Sequence, residues 1–167
     1  YNIDSLSSGM TQNPEYARLT ITVDTDERTM QQIQKQVAKI SEVERIKILH
    51  KETCALRSML LIKVHVGEKQ MEVLQLAQAF RSHAIDITGD SMTFVNTGSE
   101  DKLIAFANAL RRYGIMEMVQ TGVVALERGE ASLDVKRPRY DWPGEEIEEA
   151  VEEMLNNLWR KIDGYRN

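Results

Sequence analysis

His50, Cys54, His65 and His83 are the side chains with which this sequence could hold a metal or make a nucleophile. The histidines fall at no metal-ligand spacing to one another or to Cys54. His65 alternates outward on an expected strand and reads as a surface residue. Cys54 sits at a segment boundary and reads as a small linker residue. No Gly-rich phosphate loop follows a strand, and "TGSEDK" lacks P-loop spacing. "TGD" and "QTG" read as hairpin or strand-end turns. The acidic run from Glu145 to Glu153 reads as a solvated helix face. The eight methionines fall mainly on core stripes, where their flexible thioethers fill gaps. The residues therefore nominate no catalytic group and no metal site.

The elements that would position any binding group are clearer. The 167 residues, 42% hydrophobic and 28% charged, suit one ordinary globular domain or two small ones. A net charge of -5 argues against a general nucleic-acid binder, and "MLLI" is too short a run to cross a bilayer. Leu19, Ile21 and Val23 alternate with polar residues as in a half-buried strand, and "NPEY" before them is a turn. Met30, Ile33, Val37 and Ile40 share a helical stripe. With a strand near Leu6 to Met10 and another at "VERIKIL", residues 1–52 read β-β-α-β.

The second stretch begins with "LRSMLLIKVHV", in which Leu60, Ile62, Val64 and Val66 alternate. A helix follows with Val73, Leu76, Ala77 and Phe80 on one face. "AIDITGD" and "SMTFVNTG" are strands around a Gly-Asp turn. Ser99 is placed to cap the next helix, whose stripe is Leu103, Phe106, Ala107, Leu110 and Tyr113, and Gly114 to end it. "IMEMVQTGVVAL" closes the unit as one strand. Residues 53–129 thus read β-α-β-β-α-β, a ferredoxin-like module. The first stretch is the same pattern without its opening strand and helix, so roughly 25 residues are expected to precede Tyr1. Residues 130–167 read as a Pro-containing linker and an amphipathic helix carrying Ile147, Val151, Met154, Leu155 and Leu158. The fold class is α+β, with two ferredoxin-like modules and a C-terminal helix. Such a chain, with no convergent polar cluster, fits a ligand sensor or assembly module better than a small enzyme.

The motifs "YNIDSL", "NPEYARLTI", "QIQKQVAKI", "MLLIKV", "FRSHAIDI" and "DKLIAFANALRRYGIMEMVQTGVVALERG" resemble, in order and spacing, the small regulatory subunit of acetohydroxyacid synthase (acetolactate synthase). The resemblance covers about residues 1–129. It implies that 1–52 is an ACT domain and that 53–129 is the family's C-terminal domain. It implies no catalytic activity in this chain. It further implies a homodimer, a catalytic subunit as partner, and feedback inhibition by valine or another branched-chain amino acid. Thiamine diphosphate, Mg²⁺ and FAD would belong to that partner. The effector site implied is Asn2 and Ile3 of the "YNI" motif, with a Gly-containing loop expected before Tyr1. Arg57 is the one residue kept of a Glu-Arg-Glu contact motif, and Gln120 stands where Arg commonly precedes "TG". The compartment implied is cytoplasmic in a bacterium, plastid or mitochondrial in a eukaryote. A stand-alone ACT-type sensor with another partner is the alternative.

Overall fold

Backbone amides left unpaired in a strand are costly, so the β-pattern residues of this chain have to find ladders. The computed structural model describes residues 3–133. The expected helix beyond residue 145 and the effector candidate Asn2 lie outside the described residues.

Strands β1 (Ile3–Met10) and β2 (Ala17–Val23) form a two-stranded sheet. Their short connection can join only antiparallel neighbours. Its turn is held by side chains: Asn13 N donates to Thr11 Oγ1 at 3.1 Å, and Glu15 N donates to Asn13 Oδ1 at 3.1 Å. Between the strands Ser5 Oγ and Thr22 Oγ1 lie 2.6 Å apart. Helix α1 (Glu27–Val37) is capped by Asp26, which accepts from Thr29 N at 2.8 Å. The bonds from Thr29 hold the Asp26 carboxyl below its ordinary pKa, because they favour the charged form.

The strand expected at "VERIKIL" does not form. Residues 43–49 are outside any ladder, and the N-terminal sheet holds β1 and β2. The β-pattern is present, but no described strand pairs with it. Lys47 is tied elsewhere, to Glu127 at 2.5 Å. No residue from 3 to 53 is buried; Leu19 and Ile21, on the expected inner face of β2, are 54% and 42% exposed.

The second stretch builds a full sheet. Its elements are β3 (Cys54–His65), α2 (Gln70–Ala79), β4 (His83–Ile87), β5 (Ser91–Gly98), α3 (Glu100–Leu110) and β6 (Ile115–Gln120). The sheet order is β4-β5-β3-β6, the antiparallel ferredoxin-like arrangement. Strand β7 (Val124–Glu127) also pairs with β3, from Cys54↔Glu127 to Arg57↔Val124. The single closing strand expected is therefore two, broken at Thr121–Val123. Both halves run along the same side of β3. The break is pinned to β3 at both ends of one residue: Thr121 N donates to Met59 O, and Met59 N to Thr121 Oγ1, each at 2.9 Å.

Leu60, Ile62 and Val64 of β3 stand opposite Asn96, Phe94 and Met92 of β5, and all six are buried under α2 and α3. Val73 and Ala77 come down from α2, and Leu103, Phe106 and Leu110 from α3. Phe106 lies 5.3 Å from Phe80 and 6.3 Å, edge-on, from Phe94. The expected stripes of both helices are the observed ones. Ser99 takes the N-cap position of α3, but its hydroxyl makes no cap bond. Helix α2 ends in a Schellman motif with Ser82 N on Ala77 O and Arg81 N on Gln78 O, both at 2.9 Å. That motif places Arg81 at φ 57, a conformation usually left to glycine. Cys54 is not a linker residue: it opens β3 and is buried. No described helix is long and apolar enough to cross a membrane.

Candidate functional site

Apolar side chains that a strand leaves uncovered are the raw material of an interface, and β6 and β7 supply them in series. Met116, Met118, Val119, Val124 and Leu126 are each more than half exposed. Isolated exposed apolar residues are ordinary; a run along one edge is a candidate binding surface. β6 ends the sheet order, so among the described residues its outer backbone groups are unpaired by any strand. Arg57 joins this edge. It is exposed, lies opposite Val124 in register, and its Nη1 donates to Leu56 O at 2.7 Å. The expected contact residue and the apolar run are thus neighbours, which spacing alone could not show. Gln120 pairs with Leu60 at the inner end of the same edge.

The expected effector residues divide. Ile3 opens β1 and is 61% exposed, so it can form an apolar wall for a ligand. Asn2 lies outside the described residues. β1 also meets the second module. Val123 N donates to Ser5 Oγ at 3.4 Å, and Gly122 faces the backbone of Leu6 closely enough that a Cβ there would sit 2.5 Å from Leu6 O. Reading "QTG" as a plain turn does not predict this join. A glycine inside a strand pattern is the signal that could have found it, since such a glycine marks a bulge or a close backbone approach.

Other polar groups do not make a site. A cleft of about 410 Å³ beside the end of α2 is lined by Leu74, Ser82, His83 and Phe94 among others. The unpaired Ser82 Oγ has essentially no exposed surface, so it is sealed from any ligand in the cleft. On the surface, Tyr113 OH donates to Glu72 Oε1 at 2.6 Å, and Arg112 reaches the same oxygen at 2.9 Å. Desolvation, and then the Glu72 bond, push the Tyr113 phenol above its ordinary pKa. This exposed cluster ties α2 to the turn after α3 and contributes on the order of 1 kcal/mol or less. His65 and His83 are exposed and lie on different strands, β3 and β4. Among the described residues no three His, Cys, Asp or Glu side chains gather as a metal site would need.

Two family models match the chain. "Small subunit of acetolactate synthase" covers residues 57–129 and "AHAS small subunit-like ACT domain" covers residues 1–45. The probable acetolactate synthase small subunit of Archaeoglobus fulgidus is 38% identical over 130 residues, 77% of this chain and 81% of that protein. The chloroplastic acetolactate synthase small subunit 1 of Nicotiana plumbaginifolia is 37% identical over 129 residues, 77% of this chain but 28% of that protein. A crystal structure of the acetolactate synthase small subunit from Thermotoga maritima matches with a TM-score of 0.73 at 35% identity, covering 78% of this chain and 82% of that one.

Proposed function

This chain belongs to the acetolactate synthase small-subunit family, and on that footing we propose that it binds and activates the catalytic subunit and confers inhibition by valine or another branched-chain amino acid. The chemistry of the reaction, with thiamine diphosphate, Mg²⁺ and FAD, stays in the partner. This chain supplies a surface and an effector site. The observation that carries the first part is the exposed apolar run of β6 and β7, flanked by Arg57. Burying several such side chains on a partner at about 25 cal/mol per Å² provides the driving force, and the charged neighbour orients the encounter. The second part rests on the motif Asn2–Ile3. An amino-acid zwitterion needs hydrogen-bond partners for its charged ends and an apolar wall for its side chain. Two copies pair through their N-terminal halves in this reading, which gives the uncovered Leu19 and Ile21 a use. A sensor for some unrelated partner is the weaker reading, because the family match runs on through the second module.

The test is reconstitution. Catalytic-subunit activity is titrated with the full-length protein and with the double variant Val119→Asp/Leu126→Asp. The variant places two charges on the exposed edge and spares the buried core. Half-maximal activation is expected to need several-fold more of the variant, at unchanged circular dichroism. The same midpoint for both proteins would remove β6 and β7 from the contact.

A further inference from the structure

We propose that Gly122 is a positioning residue that couples the effector strand β1 to the β6–β7 edge, so that valine held at the start of β1 is felt at the surface that contacts the catalytic subunit. The inference rests on the effector reading given above and adds the route by which it acts. A Cβ on Gly122 would lie 2.5 Å from Leu6 O, 2.8 Å from Leu6 C and 3.1 Å from Ser7 Cβ. The first two are backbone atoms of β1, which cannot swing aside as the end of a long side chain would. The glycine is not needed for its own conformation: the left-handed glycines among the described residues are Gly67, Gly114 and Gly129. Gly122 is therefore required by its neighbour alone, as a seat for β1.

The seat is fixed on one side and responsive on the other. Towards β3 it is held by the two Thr121–Met59 bonds. Towards β1 it faces Leu6 and Ser7, and the neighbouring Val123 N–H donates to Ser5 Oγ, which in turn bonds Thr22 of β2. Ile3, the effector candidate, lies on the same strand as Leu6. A shift of β1 on ligand binding would bear on Gly122, where its backbone approaches closely. From there it passes to Gln120 and Val124, the residues that end β6 and begin β7. Packed backbone contacts move between discrete arrangements and do not stretch, so a contact of this kind can carry a bias between sites.

Gly122→Ala in the full-length protein separates binding from response. Two quantities are measured: valine affinity of the small subunit alone, by calorimetry, and valine inhibition of the reconstituted enzyme. The affinity is expected to stay within about twofold of wild type, while the valine concentration for half-inhibition rises at least about fivefold; a twofold and a fivefold change are readily resolved on this scale. Equal inhibition of variant and wild type, with both binding valine, overturns the coupling role and leaves the effector reading intact. A wild-type protein that neither binds valine nor passes on inhibition overturns the effector reading itself, and the coupling role with it. Should Gly122→Ala fail to fold, Ser5→Ala cuts the other strand of the link without a clash, and Thr22→Val removes only the bond behind it. Weakened inhibition in Ser5→Ala but not in Thr22→Val supports the role. Unchanged inhibition in Ser5→Ala overturns it.

Discussion

Replacing Asn2 by Ala in the full-length protein is expected to raise the valine concentration for half-inhibition roughly ten- to a hundredfold. The magnitude comes from the bond lost. A hydrogen bond between a neutral amide and a charged ligand end contributes about 1.5–3 kcal/mol, and each 1.4 kcal/mol is about a factor of ten in affinity. Ile3 beside it is 61% exposed, so a ligand's side chain can gain cover there that the chain itself does not provide. Activation of the catalytic subunit should survive, since the surface proposed for it lies on β6 and β7. Asn is also a turn and capping residue, a role in which the substitution would cost about 1 kcal/mol of stability. Melting and inhibition curves of the same variant distinguish the two. Lowered stability with full valine sensitivity would leave Asn2 as a turn residue only. Unlike Gly122→Ala, this variant should lose valine binding and valine inhibition together.

The largest effect on stability is expected from Phe106→Ala. The ring is fully buried between α3 and the sheet, and it touches two further rings, Phe80 and Phe94. Truncating a phenylalanine in such a place removes its transfer free energy and leaves a cavity, together about 3–5 kcal/mol. For a module of this size each kcal/mol lowers the melting temperature by about 4–8 °C, so a fall of at least about 12 °C should follow. Ile104 on the same helix is 49% exposed, and Ile104→Ala should cost far less. Thermal melts of the pair decide the matter. Similar melting temperatures would mean that α3 does not pack as described.

What could be read beforehand follows from where the information lies. Leu60, Ile62 and Val64 alternate in the sequence because one face of β3 is covered, and the helix stripes of α2 and α3 repeat for the same reason. Local pattern and tertiary burial agree in this module, so the fold is legible there. Residues 43–49 show the limit: Val43 and Ile46 carry a strand pattern, but a strand also needs a neighbour, and a pattern does not reveal whether one is present. Cys54 illustrates the reverse error. A small residue at a boundary looks like a linker, yet Cys54 is buried and pairs with Glu127 of β7, far along the chain. The site divides in the same way. Asn2, Ile3 and Arg57 are candidates that come from motif resemblance alone. The apolar edge is not legible in the sequence, because Met118 and Leu126 have the same residue types as core positions, and only their exposure in the folded chain sets them apart. Gly122 is a matter of backbone meeting backbone, which leaves no periodicity behind.

The pairing of Cys54 with Glu127 also bears on how the protein matures. The first four residues of β3 leave the ribosome long before Val124–Glu127, their ladder partners on the far side of the module. β3 can take β5 as soon as Ser91–Gly98 are made, but its leading end must wait for the last strand. Non-local pairing of this kind forms late, because chain closure has to be completed before its contacts repay it. Cys54, the one cysteine of the sequence, stands at that late-pairing end and is buried in the folded chain. Its protection from an alkylating reagent during refolding is therefore expected to lag behind the formation of the β3–β5 ladder, and protection that arrives together with that ladder would show that the leading end of β3 does not close last.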